Sequence, residues 1–135
     1  VVASWMTSRD RLQEINDLTN YLSQLWRFYE EKLPPGCRKI LLGFSQGGTM
    51  ACRWLHRHAM SFDLFIAYAC WIPEDIDLTA SKTDLAKLPI VYTYGQQDVF
   101  LTSDRIAALQ KVVEKNKLKL NMEPSEGEHQ TLEHA

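Results

Sequence analysis

Gly43-Phe44-Ser45-Gln46-Gly47-Gly48 sets a serine between glycines two residues to either side, the spacing G-x-S-x-G. A nucleophile elbow needs that spacing, because the serine occupies a strained turn and the glycines let the flanking backbones approach closely. The hydroxyl is thereby pushed clear of its surroundings. Free N–H groups at the start of a following helix, that of Gln46 in particular, would stabilise an oxyanion formed beside the serine. The chemistry so marked is acyl transfer through a covalent intermediate on Ser45.

Such a serine needs a base, and four histidines compete for the role. His56 and His58 lie two apart in the helix after the elbow, on different faces, which excludes a shared metal and turns both away from Ser45. They read as solvated helix residues. His129 follows Gly127 in the polar loop after the last expected strand, the rim to which strand C-termini deliver side chains. It is the better candidate base, with His134 as the alternative. The base in turn needs a carboxylate to orient it and to stabilise its charged form. Asp98, in Gly95-Gln-Gln-Asp98 just past a strand, fits that place; Asp104 at the start of the next helix is the alternative.

These residues must be held by elements that the apolar pattern outlines. Leu12, Ile15, Leu18, Leu22, Leu25, Trp26, Tyr29 and Leu33 recur three or four apart and predict a long helix, opened by a capping box at Thr7-Ser-Arg-Asp10 and closed by Pro34-Pro35-Gly36. Lys39 to Gly43 predicts a buried strand, and Gly47 to Arg57 a helix through Met50, Ala51, Trp54 and Leu55. Phe62 to Cys70 and Ile90 to Tyr94 predict two further strands. A helix capped by Thr102 or Ser103 carries Ile106, Leu109, Val112 and Val113, and Lys117 to Met122 alternates as a last strand. Strands alternating with helices, apolar on both sides, predict an α/β fold: a mostly parallel sheet with helices on both faces.

Composition narrows the function. The chain has 135 residues, 45% of them hydrophobic, with 15 Lys+Arg against 17 Asp+Glu. That describes one domain able to form a real core. A formal net charge of -2 lacks the dense basic surface that nucleic acid requires. No run of about 18 apolar residues exists to span a bilayer. Cys37, Cys52 and Cys70, odd in number and widely spaced, signal neither a disulfide framework nor a zinc site, and a reducing cytosol is the compartment expected. No metal or organic cofactor is implied, and nothing in the sequence reports the oligomeric state.

The segments G-F-S-Q-G-G, Cys70-Trp71-Ile72-Pro73, G-Q-Q-D and Gly127-Glu128-His129, together with the order serine, aspartate, histidine, resemble the phospholipase/carboxylesterase family of α/β-hydrolases, which includes acyl-protein thioesterases. The resemblance runs from about Ser4 to His129. It implies a serine hydrolase acting on carboxylic esters or thioesters, with Ser45, Asp98 and His129 as the triad. Trp71, beside Pro73 at a strand end, is a candidate for lining an acyl pocket, with plain packing as its alternative. The elbow strand is central in such a sheet, whereas here it is the first strand the sequence predicts. Residues 1–135 are therefore expected to form the C-terminal part of an α/β-hydrolase domain, without its N-terminal strands and oxyanion loop. Competing functions are a peptidase or acyltransferase of the same fold, or a catalytically silent binding module. Trp26, Trp54, Phe62, Phe65 and Tyr68 read as packing, and Lys111, Lys115, Lys117 and Lys119 as a solvated helix end.

Overall fold

Apolar runs too short for helices alternate with helical spacing, and the backbone follows that alternation. A computed structural model describes residues 10–130. In chain order it contains α1 (Arg11–Glu30), β1 (Ile40–Phe44), α2 (Gln46–Arg57), β2 (Leu64–Tyr68), a single 3-10 turn at Leu78–Ala80, β3 (Ile90–Gly95), α3 (Ser103–Lys115) and β4 (Leu120–Ser125). The strands form one sheet in the order β1-β2-β3-β4, every neighbouring pair parallel. Parallel neighbours require long crossovers. Helices α2 and α3 provide two of these, and the irregular segment containing the 3-10 turn provides the third. This is the α/β arrangement of a parallel sheet with helices.

The core joins Leu55 of α2, Phe65 and Ala67 of β2, Ile72 of the segment after it, Ile90 and Tyr92 of β3, and Leu109 of α3. Along β1 the alternate residues Ile40 and Leu42 are 53% and 62% exposed. The outer edge of β1 pairs with no strand among the described residues. No helix among them is long and apolar enough to cross a membrane.

Three local readings change. The stripe expected on α1 holds in part: Ile15 is buried and Leu18, Leu22 and Trp26 are half-buried, but Leu12, Leu25, Tyr29 and Leu33 are exposed, and Thr19 and Ser23 join Ile15, four apart, on the buried side. Small side chains there allow α1 to approach α2, and Trp54 Nε1 donates to Ser23 Oγ at 2.8 Å. Thr19 satisfies its own hydroxyl by donating to Ile15 O at 2.8 Å. The second strand is shorter than its apolar run, because Ala69 turns into the left-handed region at φ 47°. The last strand starts later than expected. Lys117, at φ 52°, turns the chain after α3, so pairing begins where Leu120 meets Ile90. Pro124 then falls inside β4, a position tolerated on an edge strand because the missing N–H need not face a partner. The expected capping residues Thr7 to Arg9 lie outside the described residues; Asp10 flanks α1 without a capping side-chain bond.

Candidate active site

The serine sits where β1 hands over to α2, and its backbone is strained at φ 53°, ψ -127°. Its N–H donates to Tyr68 O of β2 at 2.9 Å, which pins the elbow to the neighbouring strand. A Cβ on Gly43 would lie 2.5 Å from Gly48 Cα, and a Cβ on Gly48 would lie 2.5 Å from Cys70 Cβ. Gly47, the second glycine of the elbow spacing, would meet nothing within 4 Å. The close approach of strand and helix therefore rests on Gly43 and Gly48, a correction to the pairing of Gly43 with Gly47. Gln46 opens α2, ahead of the first bond of that turn, which runs from Gly48 N–H to Ser45 O at 3.0 Å, so its own N–H precedes any intrahelical acceptor.

Two loops at the same rim bring Asp98 and His129 to Ser45. His129 Nδ1 lies 2.7 Å from Asp98 Oδ2, and His129 Nε2 lies 3.0 Å from Ser45 Oγ. An ionised carboxylate only accepts, so the proton between Asp98 and His129 resides on Nδ1. That leaves Nε2 as an acceptor aimed at the serine hydroxyl. The other oxygen, Asp98 Oδ1, accepts from Phe100 N–H at 2.8 Å, and the Asp98 side chain is fully buried. The loops are stitched together: Gln96 N–H donates to Ser125 O and Gln97 N–H to Gly127 O, each at 2.9 Å. Two aromatic rings bracket the imidazole, Phe44 at 5.2 Å and Phe100 at 4.9 Å between centroids. Such packing restricts the ring to the orientation that serves both bonds.

A cavity of about 530 Å³ opens at Ser45 and His129, lined among others by Gln46, Trp71, Leu101 and Arg105. Trp71 is held there because Thr49 Oγ1 donates to Trp71 O at 2.6 Å and Tyr92 Oη donates to Cys70 O at 2.6 Å. Burial raises the Tyr92 phenol above its ordinary pKa, so it remains a donor. Burial likewise raises the Cys70 thiol well above its ordinary value, so the sulfur beside the cavity stays a protonated thiol and a poor nucleophile.

The alternatives separate in space. Asp104 belongs to the first turn of α3, and the carboxylate bonded to His129 is that of Asp98. His56 Nδ1 lies 3.1 Å from Ser81 Oγ, away from the elbow, and burial lowers its pKa. His134 lies outside the described residues. No cluster of His, Cys, Asp and Glu fit to hold a metal occurs among the described residues. Sequence spacing does not assign Thr49, Phe44, Phe100 or Arg105 to the site. Only Phe44 and Phe100 carry a local signal, being immediate or near neighbours of Ser45 and Asp98.

Residues 3–135 match the sequence profile of the Phospholipase/Carboxylesterase family. The chain belongs to that family. A search of the curated proteins matched none. Among solved structures, the esterase PE8 is similar at 24% identity and a TM-score of 0.67, covering 96% of this chain and 64% of that one. Acyl-protein thioesterase 2 of Zea mays is similar at 14% identity and a TM-score of 0.70, over 96% of this chain and 66% of that one. The Bacillus cereus carboxylesterase is similar at 14% identity and a TM-score of 0.64, over 98% of this chain and 60% of that one. At these identities the likeness establishes the shared α/β-hydrolase fold. The chain spans 60% to 66% of the length of these three structures.

Proposed function

We propose that this member of the phospholipase/carboxylesterase family is a serine hydrolase that cleaves carboxylic esters or thioesters through an acyl-enzyme on Ser45. The observation that carries the reading is the unbroken line from buried Asp98 through His129 to Ser45 Oγ, with contacts of 2.7 and 3.0 Å. In the first half-reaction Ser45 Oγ bonds to the acyl carbon while its proton passes to His129 Nε2. The oxyanion that forms is received by Gln46 N–H at the start of α2. The tetrahedral species collapses, the bond to the alkoxide or thiolate breaks, and that leaving group takes the proton from Nε2. A water then repeats the sequence against the Ser45 ester, giving up a proton to Nε2 and releasing the carboxylic acid. Asp98 stays ionised throughout and holds the imidazole. Trp71 and Leu101 supply apolar surface for the substrate. The unpaired thiols of Cys37, Cys52 and Cys70 support a reducing compartment, the cytosol. Initial rates on 4-nitrophenyl esters of increasing acyl length, with an acyl thioester alongside, test the reading. Turnover that saturates and depends on Ser45 is expected; none with any member of the series would overturn it.

The triad geometry depends on two loops meeting at Gly95. A Cβ there would collide with the backbone carbonyls of Gly127 and Glu128. Gly95→Ala must therefore push the His129 loop away from the Asp98 loop. A displacement of about 1 Å costs on the order of 10²-fold in rate. A loss of that size with a lowered Tm is the expected result, and near-normal rates would show that the loops yield without moving the imidazole.

The open β1 edge supports a second element of this reading: residues 1–135 form part of a larger α/β-hydrolase domain whose further strands pair against β1 and whose additional loop supplies a second oxyanion donor. An exposed apolar edge is a template for strand pairing between molecules. Prepared as residues 1–135, the chain should sediment as associated species, and Leu42→Lys should shift it toward monomer. A monodisperse monomer with ordinary esterase turnover would count against this element.

A further inference from the structure

The cavity beside Ser45 holds one charge that the hydrolytic mechanism does not use. Among the described residues that line it, Arg105 is the only arginine or lysine, and none is a carboxylate. Glu126 and Glu128 precede His129 in sequence yet do not line the cavity, and Asp98 is committed to the histidine.

Arg105 stands in the first turn of α3. A cation is disfavoured there, because the N-terminal end of a helix is already positive, so helix stability gives no reason for an arginine at this position. No carboxylate among the described residues pairs with it. Its one side-chain bond among the described residues is from Nη1 to Phe100 O at 2.7 Å. That bond fixes the guanidinium on the loop that also places Asp98, since Phe100 N–H donates to Asp98 Oδ1. A guanidinium carries five N–H donors, and with one corner tied to a carbonyl its Nε/Nη2 edge is left uncommitted. Two parallel donors in one plane suit the two coplanar oxygens of a carboxylate.

We propose that Arg105 is a specificity-determining residue and that the site favours esters or thioesters bearing a carboxylate on the acyl or the leaving group. Trp71 and Leu101 receive the aliphatic part, and the Nε/Nη2 edge of Arg105 receives the anion. The inference rests on the hydrolase reading of the same cavity.

The test uses two matched pairs: 4-nitrophenyl hydrogen adipate against its methyl ester, for an anion on the acyl side, and S-acetyl-3-mercaptopropionate against its methyl ester, for one on the leaving side. Within at least one pair, the ratio of kcat/KM for the anionic over the neutral member should fall about tenfold in Arg105→Met, the lower end of what a charge-assisted hydrogen bond contributes. Arg105→Lys should restore part of the ratio, and raised ionic strength should lower it in the unaltered protein. A purely structural arginine, acting only through the Phe100 carbonyl, would slow both members of a pair equally. Calorimetry with the Ser45→Ala variant provides a readout independent of turnover: the adipate half-ester should bind more tightly than its methyl ester, and Arg105→Met should remove the difference. Equal scaling of both members of both pairs, with Ser45-dependent turnover intact, would overturn this inference alone. Absence of Ser45-dependent turnover on all four compounds would overturn the hydrolase reading, and the specificity role with it.

Discussion

Replacing Ser45 with alanine should reduce ester turnover by roughly 10³-fold or more while leaving the fold intact, because members of a nucleophile–base–carboxylate unit act together. The fold is expected to survive for two reasons. The only side-chain hydrogen bond of Ser45 among the described residues is the 3.0 Å contact with His129. A positive φ such as its 53° is also one that alanine adopts elsewhere in this chain, at Ala69 with φ 47°. The elbow remains pinned through Ser45 N–H to Tyr68 O, a main-chain bond that the substitution keeps. Rates on an aryl ester, with circular dichroism and Tm as controls, decide the matter. A residual rate near that of the unaltered chain would remove Ser45 from the mechanism.

Asp98→Asn should cost on the order of 10⁴-fold through the wrong imidazole tautomer. Phe100 N–H donates to Oδ1, so the amide oxygen of an asparagine must occupy that place. Its NH2 group then falls where Oδ2 stood, facing His129 Nδ1. Two donors cannot share that contact, so the imidazole would move its proton to Nε2, the atom that has to accept from Ser45. His129→Ala should match Ser45→Ala, and Asp104→Asn should leave the rate within a few-fold of normal. Near-normal turnover by Asp98→Asn would transfer the orienting role to another carboxylate.

Much of this constellation was legible in the sequence, and the parts that were not share a cause. The elbow, Asp98 and His129 could be read because each follows a short apolar run, and runs of that length become parallel strands whose C-terminal ends share one rim. Ser45 lies just past β1, Asp98 just past β3 and His129 just past β4. The exchange of Gly47 for Gly48 could not be read, since it depends on Cys70 approaching from the segment just past β2. The bracketing of His129 by Phe44 and Phe100 and the seat of Arg105 in the cavity likewise join residues far apart in the chain. Helix α1 was legible only in part, for a related reason. Ile15 of the expected stripe is buried, yet the face turned to α2 also carries Thr19 and Ser23, because close packing against Trp54 favours small side chains that can satisfy a donor. Local periodicity reports what a residue would prefer to bury. It does not report which neighbour arrives.

The central claim is that Ser45 is an activated nucleophile, and covalent labelling tests it most directly. Incubation with a fluorophosphonate should add one phosphonyl group per chain, measured by intact mass, and fragmentation should place it on Ser45 Oγ, with fluoride as the departing group. Ser45→Ala and His129→Ala should both lose the adduct, the first for want of the oxygen and the second for want of the base 3.0 Å away. No adduct on the unaltered chain, or one borne by another residue, would contradict the assignment.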